Sequence, residues 1–183
     1  MKVTKTAISG AYLIELDVYG DHRGFFLESY QKQRYEKFGL NVDFVQDNRS
    51  LSEQGVLRGL HYQIKRPIGH LVYVTRGCIF DVGLDLRLTS PTFGICIEFT
   101  LSSDNNQQLY LPPGVAHGFC ALEETNEILY KCTDYYYPDD EAGVLWNDTD
   151  LNIRWPISNP KIKARDALFP QLKNIDPSRL PKV

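Results

Sequence analysis

Apolar and polar residues alternate along most of this chain. Short stretches rich in β-branched and aromatic residues recur around Tyr12–Leu16, Val56–Gln63, Leu71–Thr75, Ile79–Leu86, Ile95–Leu101, Gln108–Leu111, Val115–Leu122 and Ile128–Thr133. A period of two puts alternate side chains on opposite faces of an extended strand, so each stretch is predicted to be a β-strand. Turn formers separate them: Arg76-Gly77, Ser90-Pro91, Ser103-Asp104-Asn105-Asn106 and Pro112-Pro113-Gly114. Many short strands with almost no helix between them imply an antiparallel sandwich or barrel, a mainly all-β fold. One helix is predicted over Tyr30–Phe38, capped by Ser29 and stopped by Gly39, and a short one near Ala164–Leu168. No repeat, low-complexity tract or long linker divides the chain. Residues 1–183 are expected to form one domain, with a tail rich in Pro, Lys and Asp (about 156–183) wrapping its surface.

Composition narrows the function. Twenty Lys and Arg stand against 23 Asp and Glu, a net charge of −3. Without a basic surplus, neither nucleic acid nor an anionic membrane is an expected partner, although a few arginines can still hold a small anion. No apolar segment follows Met1 as in a secretory leader, and no run reaches the ~18 apolar residues of a membrane span. Cys78, Cys96, Cys120 and Cys132 form no CxxC pair and sit in apolar stretches, as small core residues of a reducing compartment. A cytoplasmic location is expected.

Five groups of residues could carry chemistry. Asp21-His22-Arg23-Gly24-Phe25-Phe26-Leu27-Glu28 reads as a turn entering a strand, with Arg23 able to grip a phosphate or simply to pair on the surface. In Val56–Gln63, Arg58 and His61 interrupt an apolar strand, and charge inside a sheet is costly unless paired. Strict alternation puts them on opposite faces. A bulge, with Gly59 the natural place for it, would let both serve one pocket. Tyr130 to Tyr137 supplies several phenols, one of which could donate a proton. Asp81, Asp85 and Asp166 could each stand behind a histidine and fix its tautomer; spacing alone does not choose among them. Finally, Pro112-Pro113-Gly114-Val115-Ala116-His117 resembles the second motif of the cupin superfamily. The first motif's ligand set is missing, since His61 is followed by Tyr62 and Gln63, so no metal and no cofactor are expected.

Taken in order, Gly20–Ser29, Gln46–Ser50, Gly55–Gln63, Ser90–Gly94, Gly114–Phe119, Tyr130–Tyr136 and Leu145-Trp146-Asn147-Asp148 resemble the dTDP-4-dehydrorhamnose 3,5-epimerase family, from about residue 3 to about residue 168. The resemblance implies a metal-free cupin-type jelly roll with a few short helices, a homodimer with exchanged strands, and a nucleotide-diphosphate-linked 4-keto-6-deoxyhexose substrate. The implied activity is epimerisation at C3 and/or C5 in deoxysugar biosynthesis for a surface polysaccharide such as lipopolysaccharide O-antigen. By matching position His61 would be the general base, Asp166 its carboxylate partner and Tyr130 the general acid. Arg23, Phe26, Glu28, Gln46, Asn48 and Arg58 would contact the substrate. His117 and Asp81 would belong to the pocket, Tyr136 would stack on the base, and Glu141 would lie near the nucleotide. The chemistry suits these residue types. A C4 ketone acidifies C3 and C5, and inversion then needs a base on one face and a donor on the other. His70 departs from the family, whose members carry lysine there, near the C4 oxygen. An imidazolium in that place would make activity fall above roughly pH 6.5 unless the site shifts it; otherwise His70 fills space beside a differently shaped sugar. The competing readings are a 3,4-ketoisomerase, a non-catalytic sugar-nucleotide binding module and a metal-dependent cupin oxygenase.

Overall fold

The computed structural model describes residues 1–183 as two face-packed antiparallel sheets and a separate hairpin. In chain order the strands are β1 (Lys2–Lys5), β2 (Tyr12–Glu15), β3 (Val18–Asp21), β4 (Gly24–Leu27), β5 (Gln46–Glu53), β6 (Val56–Gln63), β7 (His70–Arg76), β8 (Cys78–Asp85), β9 (Cys96–Ser102), β10 (Gln107–Leu111), β11 (Val115–Ala121), β12 (Thr125–Cys132), β13 (Glu141–Gly143) and β14 (Lys161–Ile162). The first sheet runs β1-β2-β10-β7-β12-β5 and the second β13-β6-β11-β8-β9, with β14 added parallel to β6. This is the expected mainly-β, jelly-roll arrangement.

Three apolar clusters explain why the alternation is legible in some strands and not in others. Between the sheets lie Val72, Val74, Ile79, Leu101, Leu109 and Ile128, all essentially inaccessible to solvent. The outer face of the second sheet buries Leu60, Val82, Leu84 and Ala116 beneath Leu172, Ile175 and Leu180 of the C-terminal segment. The outer face of the first sheet packs Ile14, Leu71 and Tyr110 against Tyr35 and Leu40. Sheets buried on both faces over part of their area read as apolar runs, and half-covered strands alternate.

The helix is shorter than the sequence predicts. It spans α1 (Lys32–Glu36), and its N-cap is Gln31, not Ser29: the Gln31 side chain accepts from Arg34 N at 2.8 Å. Ser29 is engaged elsewhere, its carbonyl accepting from Tyr35 Oη (3.1 Å) and Gln108 Nε2 (2.8 Å). Near Ala164–Leu168 the chain makes only a 3₁₀ turn, Asp166–Leu168. No helix is long and apolar enough to cross a membrane. All four cysteines are free thiols, Cys120 and Cys132 buried and the other two partly so.

Asp85 serves the fold rather than a histidine. Fully buried, it accepts from Arg87 Nε (2.8 Å) and Nη2 (2.7 Å), Ser90 Oγ (2.6 Å) and Thr92 Oγ1 (2.7 Å). Burial pushes its pKa up, but these hydrogen bonds outweigh burial and hold it at about 2. A carboxyl whose folded pKa lies below its unfolded value stabilises above the unfolded value and loses that contribution as pH falls through the folded one. A two-unit depression corresponds to roughly 2–3 kcal/mol. Urea unfolding free energies are therefore expected to drop by about that amount between pH 5 and 2, and Asp85→Asn should remove this portion of the drop. An unchanged pH dependence in the variant would contradict the assignment.

Candidate active site

A cavity of about 530 Å³ opens between the two sheets, within the range of small-molecule sites. Its two walls have different chemistry. The second sheet contributes Arg58 and His61 from β6 and His117 and Phe119 from β11; the first contributes Gln46, Asn48 and Ser50 from β5, His70 from β7 and Tyr130 from β12.

Arg58 and His61 share this cavity because β6 bulges between them. His117 pairs with His61 and Phe119 with Arg58, so two residues of β6 face one of β11. Gly59 sits in the bulge at φ +122°, and a Cβ there would lie 2.5 Å from Gly118 Cα. Only glycine combines that dihedral with so close an approach of two backbones.

His61 donates from Nε2 to Asp166 Oδ2 at 2.8 Å, which leaves Nδ1 with the free lone pair. Asp166 comes from the 3₁₀ turn after β14, 105 residues away, and is buried. Burial raises its pKa, but the hydrogen bonds and charges of His61 and Arg165 outweigh this and hold it below the usual aspartate range. A second dyad lies across the ladder: His117 donates from Nε2 to Asp81 at 2.9 Å. Asp81 is wholly inaccessible, so it stands behind His117 rather than lining the cavity.

Tyr130 faces these dyads from the opposite sheet. Burial, with Cys132 adding to it, raises its phenol pKa against the opposing pull of Asn48 and Arg58, which keeps the proton on oxygen. Tyr136 Oη donates to Glu141 at 3.1 Å at the cavity mouth. Arg58 Nε is held by Ser52 Oγ at 3.1 Å.

Ten of the sequence-derived site residues thus line one cavity: Gln46, Asn48, Arg58, His61, His70, His117, Tyr130, Tyr136, Glu141 and Asp166. Arg23, Phe26 and Glu28 do not. They lie on and just after the β3–β4 hairpin, where Arg23 pairs with Asp21, Glu28 pairs with Arg34, and Phe26 is 69% exposed. Sequence reasoning missed Lys161, Lys163 and Arg165, which also line the cavity. The signal was present as an i, i+2, i+4 basic set entering Asp166, which an extended segment displays on one side. Arg165 ties the site together, donating to Asp166 Oδ1 at 3.1 Å and to Glu141.

The site shifts His70, which is the condition under which no fall in activity above pH 6.5 is expected. Burial, reinforced by His117 and His61, presses its pKa down to about 3, so no imidazolium forms near neutral pH. No three His, Cys, Asp or Glu side chains converge in metal-ligand geometry. His61 and His117 both commit Nε2 to carboxylates.

Comparison with known proteins agrees with this arrangement. The sequence profile described as dTDP-4-dehydrorhamnose 3,5-epimerase matches residues 5–174. A protein of that name from Salmonella typhimurium is 49% identical over 175 residues, covering 94% of this chain and 96% of the relative. The namesake from Pseudomonas aeruginosa is 49% identical over 168 residues, covering 91% and 93% respectively. Among solved structures, the dTDP-6-deoxy-D-glucose-3,5-epimerase of Legionella pneumophila in complex with dTDP-4-keto-L-rhamnose superposes with a TM-score of 0.95 at 44% identity, covering 100% of this chain and 98% of that one. With a cavity that sets a carboxylate-backed histidine of one sheet against a tyrosine of the other, and with relatives matched over nearly its whole length, this chain belongs to the dTDP-4-dehydrorhamnose 3,5-epimerase family.

Proposed function

We propose that the cavity inverts C3 and C5 of a dTDP-linked 4-keto-6-deoxyhexose through a C4 enolate. One observation carries this reading: His61, backed by Asp166, and Tyr130 approach the same space from opposite sheets. Inversion requires proton removal and delivery on opposite faces of a carbon, and the two walls supply a base and an acid so placed. His61 takes the C–H proton, the pair of electrons delocalises onto the C4 oxygen, and the Tyr130 hydroxyl returns a proton to the other face. The diphosphate is held by Arg58 with Lys163 and Arg165 at the mouth. Incubation with dTDP-4-keto-6-deoxyglucose tests this through ring proton couplings, which must change to those of a product inverted at both centres. Inversion at one centre would restrict the reading to a monoepimerase; migration of the carbonyl would replace it with a ketoisomerase; binding without turnover would leave a binding module.

The protein acts as a homodimer in this reading. Tyr19, Phe25 and Phe26 of the β3–β4 hairpin are 63%, 65% and 69% exposed, an apolar patch that a lone protomer leaves in water. A second copy covering it would receive Arg23, Phe26 and Glu28 at its cavity, which gives those residues a place in the substrate site. Sedimentation is expected to give twice the 21.0 kDa chain mass, and the double change Phe25→Asp, Phe26→Asp to give monomers of much reduced activity. A fully active monomeric wild type would contradict the dimer.

A further inference from the structure

His61 stands between two carboxylates of different character. Asp166 takes its Nε2–H at 2.8 Å, while Oε1 of Glu141 lies 3.9 Å from Nδ1, the nitrogen that carries the lone pair. Strand pairing puts Glu141 there. In the antiparallel β13–β6 ladder Gly143 lies opposite His61 and Glu141 opposite Gln63, so Glu141 is the diagonal neighbour on the His61 face. Gly143 has no side chain, and the Phe169 ring fills the space, edge-on to His61 at 5.8 Å. Two donors hold Glu141, Tyr136 Oη at 3.1 Å and Arg165 Nη1, and both fall on Oε2. Oε1 has no donor, and it is the oxygen turned towards the base.

In the proposed reaction, on which this inference rests, each inversion moves one proton from carbon to His61 and one from Tyr130 to carbon. The C–H electron pair passes into the enolate and back. His61 ends protonated, so it must lose that proton, and Tyr130 must recover one, before the second carbon can be served. Asp166 is a poor outlet. Its side chain is 3% exposed, and a carboxyl held in its ionised form by His61 and Arg165 is a weak proton acceptor. His117, opposite His61 on β11, already commits Nε2 to buried Asp81, and Arg165 is a cation. Glu141 keeps 11% of its side chain exposed at the cavity mouth, beside a Tyr136 that is 47% exposed. We infer that Glu141 is the proton outlet of His61: Oε1 accepts the Nδ1 proton after each inversion and releases it to water at the mouth. The 3.9 Å gap closes when His61 becomes a cation, as hydrogen bonds that serve catalysis are often long in the free enzyme and tighten during reaction.

The signature of a lost outlet is a stall after one inversion. In Glu141→Gln the amide oxygen can still accept from Tyr136 and Arg165, so a purely structural role would survive while the carboxylate is gone. Rapid mixing with dTDP-4-keto-6-deoxyglucose, quenching and NMR of the ring couplings follow each centre in time. The variant should invert one centre per active site at a rate within a few-fold of wild type, then turn over roughly 10²-fold more slowly. Sugar inverted at one centre should accumulate to one equivalent of sites. Formate, a mobile carboxylate, should speed the slow phase of Glu141→Ala in proportion to its concentration. Wild-type steady-state kcat in Glu141→Gln, a first inversion slowed as much as the second, or a Glu141→Ala enzyme indifferent to formate would each overturn the inference. Failure of the proposed reaction is a different result, in which the wild type itself exchanges neither centre.

Discussion

Replacing His61 by alanine is expected to slow deuterium exchange at C3 and C5 by ~10²–10⁴-fold while dTDP affinity stays within a few-fold. The magnitude is that of removing a positioned general base. The separation of effects follows from the site's layout. His61 lies on the bulge of β6 facing Tyr130's wall, whereas Arg58, Lys163 and Arg165 supply positive charge for the diphosphate. Asp166→Ala should reproduce most of the loss, because the His61 Nε2–H would keep no acceptor to fix its tautomer. Its effect is expected to be accompanied by some loss of stability, since Arg165 would lose a partner whose ionised form the fold favours. NMR exchange rates with calorimetric titration of dTDP check both variants. Exchange at the wild-type rate in either would remove His61 and Asp166 from the chemistry.

Tyr130→Phe is expected to uncouple exchange from inversion. The phenyl ring keeps the packing against His70 and the apolar interior, so the fold should be unaffected. Without the hydroxyl no proton is delivered to the second face, and net inversion should fall by ~10²–10⁴-fold. His61 remains able to remove and return a proton on its own face, so deuterium should still enter the substrate, with retained configuration. Measuring label incorporation and product couplings on one sample distinguishes the steps. Inversion at the wild-type rate would show that another group is the acid; equal loss of exchange and inversion would place Tyr130 in enolate formation itself.

How much of this was legible in the sequence depended on what each strand faces. The alternation in Val56–Gln63 defines β6 at both ends, and the misfit of Arg58 with His61 located its bulge at Gly59. Strand β5 gave no such signal. Gln46, Asn48 and Ser50 point into a polar cavity while Asp47, Arg49 and Glu53 face water, so the strand has no apolar period to detect. The helix was overextended because Ser29 is a good capping residue by type, yet its carbonyl is held by Tyr35 and Gln108. Spacing could not choose among Asp81, Asp85 and Asp166, since partners 36 and 105 residues distant are joined only by tertiary structure. Family resemblance singled out Asp166, and the geometry gives each aspartate a separate role. His70 shows the opposite limit: its identity was visible, but its charge state depends on burial that no local pattern reveals.

The central claim is that a base and an acid on opposing sheets pass protons through an enolate at C3 and C5. Proton NMR of the wild-type protein with dTDP-4-keto-6-deoxyglucose in D₂O tests it most directly. The account predicts that the signals at C3 and C5 both disappear as solvent deuterium enters, with couplings of the inverted product. Inversion that retains either substrate proton, or turnover without deuterium at these carbons, would contradict it.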